Sequence, residues 1–239
     1  MTSRDPINVR GGNGRGEAGR VSYSLILFDL DGTLTDSGVG IANSVAHALA
    51  ALGMEPLTGL TLRGFIGPPL QQSFAALGLS RVDVRKAVES YRDYFLDTGL
   101  YQNEPYEGVD ALLTGLRARG CRLTVATSKP TPFALRILDH FALAQYFEHV
   151  QGSELDGTRS QKHEVITEAL TCVGPQPLGS AIMVGDRAQD VCGAAHVGIP
   201  CVGAGWGYAV EGELESAGAD PILTTPAELF SYLFGAVGA

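Results

Sequence analysis

The chain has 239 residues, 45% of them hydrophobic and 18% charged, a balance that excludes a disordered or fibrous protein and suits one large α/β domain, or a main domain with a small inserted one. Its formal charge of −9 comes without a dense Lys/Arg cluster, which argues against nucleic acid or an anionic lipid surface as partner. No segment approaches the roughly 20 apolar residues of a membrane span and the N-terminus lacks the apolar centre of a secretory signal, so a cytoplasmic protein is expected.

Residues 1–21, rich in Gly and Arg and without apolar periodicity, are expected to form a flexible leader. Within them Gly14-Arg15-Gly16-Glu17-Ala18-Gly19 matches G-x-G-x-x-G, but a dinucleotide site needs that pattern after a strand, and the first strand candidate, 23–29, comes later. From 37 to 105 the patterns are helical only: Ile41, Val45, Leu49 and Leu52, then Leu70, Phe74 and Leu77, then a helix over 81–96 for which Ser80 and Asp83 form a capping pair. Gly67-Pro68-Pro69-Leu70 reads as a rigid turn opening the middle helix. Beyond residue 105, strand patterns at 122–127, 181–184 and 200–202, with weaker ones at 148–151 and 222–224, alternate with helical spacing such as Val109, Leu112, Leu113 and Leu116, or Val165, Ile166, Ala169 and Leu170. This alternation predicts an α/β fold with a doubly wound parallel sheet over 22–36 and 106–239, interrupted by a small α-helical domain at 37–105. Cys121, Cys172, Cys192 and Cys201 show no Cys-x-x-Cys spacing and are expected to be reduced thiols, and the five histidines share no pattern.

Ligands of parallel α/β sheets bind at the carboxyl ends of the strands. The first strand delivers Asp29 and Asp31 there, followed by Gly32 and Thr33. The strand at 122–127 delivers Thr127, Ser128 and Lys129, and the one at 181–184 delivers Asp186, with Asp190 four residues on. Lys162 opens an amphipathic helix between them. Acids converging at one sheet edge repel one another without a cation, and carboxylate oxygens suit Mg²⁺. A hydroxyl and an ammonium suit the oxygens of a phosphoryl group, so the set describes phosphoryl transfer.

The segments "DLDGTLTDS", "VATSKP", Lys162 and "VGDRAQD" resemble, in order, the four motifs of the haloacid dehalogenase superfamily of phosphatases, and the helical block stands where that family carries an α-helical cap. The resemblance implies a Rossmann-like core and an aspartyl-phosphate formed on Asp29, with Asp31 as general acid and base. It implies Mg²⁺ held by Asp29, the Asp31 carbonyl and Asp186, supported by Asp190, and a phosphoryl group bound by Thr127, Ser128 and Lys162. Lys129 competes for the lysine role, because the family's Lys-Pro pair reads Lys162-His163 here. The chain resembles the phosphoglycolate phosphatase-like branch, and "RSQKHEVI", "GWGY" and "IGPPL" resemble bacterial 5′-nucleotidases, so the substrate stays open between these classes. Arg63 and Gln71 are candidate specificity residues of the cap. An acid at position 31 disfavours a dehalogenase, whereas a phosphomutase and a catalytically silent binding module remain as alternatives.

Overall fold

The computed structural model describes residues 23–175 and 179–235, so the expected leader and its glycine motif lie outside the described residues. β1 (Leu25–Phe28) is followed by the two-residue β2 (Thr35–Asp36) and by the helices α1 (Gly38–Ala51), α2 (Gly59–Arg63), α3 (Leu70–Ala76) and α4 (Arg81–Asp97). Then come β3 (Glu104–Pro105), α5 (Val109–Ala118), β4 (Arg122–Pro130), α6 (Thr131–His140), β5 (His149–Ser153) and α7 (Lys162–Val173). The chain closes with β6 (Ala181–Gly185), α8 (Ala188–Val197), β7 (Cys201–Ala204), α9 (Glu213–Ala217), β8 (Ile222–Leu223) and α10 (Pro226–Phe234).

Six strands form one sheet in the order β5-β4-β1-β6-β7-β8, with every neighbouring pair parallel. Strand order reverses at β1, the position where a doubly wound sheet leaves a crevice at its carboxyl edge. Phe28 is in register with Val125 on one side and Val184 on the other, so Asp29 emerges between the ends that carry Thr127 and Asp186. All four residues of β1 are buried, as a strand covered on both faces requires, which is why it reads as an unbroken apolar run. Ile26, Phe28, Val125 and Val184 enter one apolar cluster; Leu25, Leu27, Ala181 and Met183 enter a second beneath α7 and α8. Each such large side chain contributes roughly 1.5–3 kcal/mol on burial.

Between β2 and β3 the chain is helical, and these two short strands pair antiparallel, Thr35 with Pro105 and Asp36 with Glu104. The ribbon escaped the sequence reading because two residues carry no detectable period. In α4, the Ser80 hydroxyl accepts from the Asp83 amide at 3.2 Å, the expected cap. Pro69 stands just before α3, after Gly67 at φ 101°. The block's interior is aromatic, with Phe65 edge-on to Phe74 at 4.9 Å and Tyr91 stacked on Phe95 at 5.6 Å. These side chains belong to the same cluster as Ile26 and Phe28. No helix among the described residues is long and apolar enough to cross a membrane.

Candidate active site

Asp29, Asp186 and Asp190 are buried, and one carboxylate oxygen from each lies within 4.8 Å of the others. Each is fixed by local backbone. The Leu30 amide donates to Asp29 Oδ1 at 2.7 Å, and the Arg187 amide donates to Asp190 Oδ2 at 3.0 Å in the first turn of α8. Asp186 accepts from the Tyr208 amide at 2.8 Å and from the Thr33 hydroxyl at 3.3 Å. Gly32 makes this crowding feasible: its φ is +84°, and a Cβ there would lie 2.1 Å from Asp186 Oδ2.

Burial and the negative charges of Asp190 and Asp29 hold the Asp186 carboxyl well above the usual carboxylate range. Burial also pushes Asp190 up to about 6, with Lys162 opposing and Asp29 adding to the effect. Burial works to lower the Lys162 ammonium, yet Asp190 and Asp29 outweigh it and hold the group above its ordinary value. Three clustered oxygens, two of them on carboxyls raised by burial and by their neighbours, fit a hard divalent cation such as Mg²⁺.

The two lysines divide the acids between them. Lys162 Nζ lies 2.9 Å from Asp29 Oδ2 and 2.7 Å from Asp190 Oδ1, and it donates to the Ala126 carbonyl at 3.2 Å. Lys129 Nζ lies 3.0 Å from Asp31 Oδ2 and 4.4 Å above the centre of the Phe95 ring on α4. Asp31 Oδ1 is buried with no hydrogen-bond partner among the described residues. Asp29, Asp31, Thr127, Ser128 and Lys129 line a cavity whose helical side is formed by Phe65, Leu70, Gln71, Tyr91, Arg92 and Phe95. Its volume is about 710 Å³, including space open to solvent. Lys162, Asp186 and Asp190 are not among its lining residues.

Thr127 is buried, and its hydroxyl oxygen accepts from the Lys129 amide at 3.3 Å; the Ser128 carbonyl accepts from the Ser153 hydroxyl at 2.7 Å. Of the two residues singled out in the helical block, Gln71 lines the cavity, whereas Arg63 is exposed and lies off it. Its carbonyl accepts from Arg187 Nη1 at 3.4 Å. Arg187 also donates to the Ile66 carbonyl and pairs with Glu213 at 2.8 Å, bridging the loop after β6 to the α2–α3 segment. The loop after β7 clasps the first motif: Trp206 Nε1 donates to the Thr33 carbonyl at 3.0 Å, the Gly38 amide donates to the Tyr208 hydroxyl at 2.6 Å, and that hydroxyl donates to Asp36. Sequence reasoning missed Arg92 and Arg187. The only signal for Arg92 was its place on α4 beside the apolar positions 91 and 95, and for Arg187 its position directly after Asp186.

The model of the family "Haloacid dehalogenase-like hydrolase" matches residues 26–204. The chain is 46% identical over 195 residues to a 5′-nucleotidase of Pseudomonas aeruginosa, covering 81% of this chain and 88% of that one. It is 43% identical to the tyrosine-protein kinase PtkA of Mycobacterium tuberculosis over 78% of this chain and 64% of that protein's length. A phosphoglycolate phosphatase of Caulobacter vibrioides is 32% identical over 84% of this chain and 86% of its own. Among solved structures, a predicted phosphatase from Clostridium acetobutylicum superposes with a TM-score of 0.84 at 42% identity, covering 88% of this chain and 98% of that one. The motif order, the parallel sheet and this match over three quarters of its length place the chain in the haloacid dehalogenase-like hydrolase family.

Proposed function

We propose that the chain is a Mg²⁺-dependent phosphomonoesterase acting on a small phosphorylated metabolite, with Asp29 as nucleophile and Asp31 as general acid and base. The observation that carries this reading is that Asp29 and Asp31 line one cavity, paired with Lys162 and Lys129 respectively, and that Asp29 also belongs to a buried cluster with Asp186 and Asp190. Asp29, the Asp31 carbonyl and Asp186, supported by Asp190, would hold the ion, which supplies positive charge against the repulsion between substrate phosphate and carboxylates. Asp29 attacks phosphorus and the bond to the alcohol oxygen breaks. Asp31 gives its proton to that leaving oxygen, then takes one from the water that attacks the aspartyl-phosphate and releases Asp29. Thr127 and Ser128 orient the phosphoryl oxygens. Lys162, paired with Asp29 at 2.9 Å, adds positive charge for the phosphoryl group, and Lys129 holds Asp31 in place. Residues 37–105 act as a cap that excludes water during the first step.

The relatives' names support a phosphoryl substrate and divide over which one, 5′-nucleotidase and phosphoglycolate phosphatase among them. The test is phosphate release from nucleoside 5′-monophosphates, 2-phosphoglycolate and sugar phosphates, with Mg²⁺ or a chelator. Hydrolysis should require the metal, and Asp29→Asn should lower it by about a thousandfold or more. Isomerised sugar phosphate without free phosphate would indicate a mutase instead. Transfer from ATP to a tyrosyl peptide would align the chain with the mycobacterial kinase, and ligand binding with no product would leave a binding module.

A further inference from the structure

Five charged side chains line the cavity: Asp29, Asp31, Glu154, Lys129 and Arg92. The three acids are all answered, Asp29 by Lys162 at 2.9 Å, Asp31 by Lys129 at 3.0 Å and Glu154 by Arg159 at 2.9 Å. Arg92 is not. It has no ion pair among the described residues, and its Nε is buried without a hydrogen-bond partner. Arg92 is half-buried, and its guanidinium, which does not shed its proton at any ordinary pH, keeps a positive charge on the cavity wall. The residues that form the helical side of the cavity with it, Phe65, Leu70, Gln71, Tyr91 and Phe95, include no carboxylate. Arg92 stands on α4, in the helical wall of the cavity, whereas Asp29 and Asp31 come from the end of β1. A substrate whose phosphate lies at the aspartates therefore turns its alcohol portion toward a wall with one unanswered positive charge.

We propose that Arg92 is a specificity residue that pairs with a second anionic group carried by the alcohol portion of the phosphomonoester. The inference rests on the phosphomonoesterase reading for where the substrate sits, and it narrows that reading to leaving groups that are themselves acidic. A carboxylate is the best geometric match, because its two oxygens meet two guanidinium donors in one plane. A neutral alcohol of the same length leaves this half-buried charge unpaired, so the site discriminates against it.

Two matched pairs of probes test the proposal in the presence of Mg²⁺. In turnover, 2-phosphoglycolate and 2-hydroxyethyl phosphate have similar length and differ in the carboxylate. In binding, phosphonoacetate and ethylphosphonate make the same comparison without a hydrolysable ester, read by calorimetry. The wild-type chain should favour the carboxylate member of each pair by about 10- to 100-fold, the scale of a charge-assisted pair. Arg92→Gln should shrink both preferences to within about threefold, mainly by raising KM for 2-phosphoglycolate, and Arg92→Lys should recover part of them. Equal affinity of the wild type for both members, or equal losses on both members in a folded Arg92→Gln protein, would overturn the assignment. So would faster turnover of a nucleoside 5′-monophosphate than of 2-phosphoglycolate. Selective binding of phosphonoacetate with no turnover of any ester would uphold Arg92 while sinking the phosphatase reading. Turnover without selectivity would do the opposite.

Discussion

Lys162 is the residue on which the acid cluster depends. Its ammonium meets two carboxylates and a carbonyl inside the fold, and Lys162→Met would leave Asp29 and Asp190 buried without their cation. Breaking a buried pair in this way costs about 3–5 kcal/mol, so the variant should melt well below the wild type in chelator and regain part of the loss in Mg²⁺. The raised carboxyls of Asp186 and Asp190 carry a pH dependence of definite sign. A carboxyl whose folded value exceeds its unfolded one stabilises the metal-free fold at low pH, and that contribution is lost as pH rises from about 4 through the folded value. For Asp190 the folded value is about 6. A divalent ion needs the ionised forms, so the increase in Tm produced by Mg²⁺ should grow between pH 5 and pH 7. An increment that stays flat over that range would remove the metal from this cluster. Asp29, Asp31, Asp186 and Asp190 were legible in the sequence because each follows a strand at a fixed spacing. What each lysine touches was not, because sequence spacing does not tell which way a long side chain turns.

At the scale of elements, Arg187 joins the edge of the sheet to the helical block, through carbonyls between α2 and α3, and Glu213 at the start of α9 holds it in place. Glu213 is partly buried, which by itself would raise its carboxyl, but hydrogen bonds from Arg187 and from the amides of Ala188 and Val210 hold it below its usual value. The sign is the reverse of that for Asp186: a depressed carboxyl stabilises the fold above its unfolded value and loses that contribution as pH falls through the folded one. Glu213→Gln should therefore lower Tm at pH 7, and its difference from the wild type should shrink as the solution is taken below about pH 4. A constant difference across that range would mean the glutamate acts by packing alone. The longer elements could be read from the sequence: α4 ends one residue beyond its expected end and begins at its expected cap, and each of the six expected strands is present. β4 runs on to Pro130, past a register shift after Ala126 that no apolar period reveals. The β2–β3 ribbon is too short to leave a pattern, and it forms only because residues 36 and 104 are brought together by the block between them.

For the whole molecule, a single apolar cluster runs from the sheet at Ile26 and Phe28 into the helical block at Phe74 and Phe95. The interruption of the α/β rhythm at residues 37–105 was visible in the sequence, but this shared packing was not, because periodicity marks which face is apolar and not what it meets. The shared cluster predicts that the two regions unfold together. Phe74, fully buried against Phe65, is the place to test it: Phe74→Ala should cost about 3–5 kcal/mol and lower the temperature of one cooperative transition. Two separate calorimetric transitions would show that the block melts independently of the sheet.

The clasp between the loop after β7 and the first motif has a practical consequence as well. Trp206 is the only tryptophan in the chain, and its indole nitrogen donates to the carbonyl of Thr33, two residues from Asp31. The molecule therefore carries one indole fluorophore, excitable apart from its eight tyrosines and hydrogen-bonded to the segment that bears Asp29 and Asp31. Its emission reports that segment without background from another tryptophan, so stopped-flow mixing of the unlabelled protein with Mg²⁺ or with phosphate should change the signal when either ligand reaches that segment.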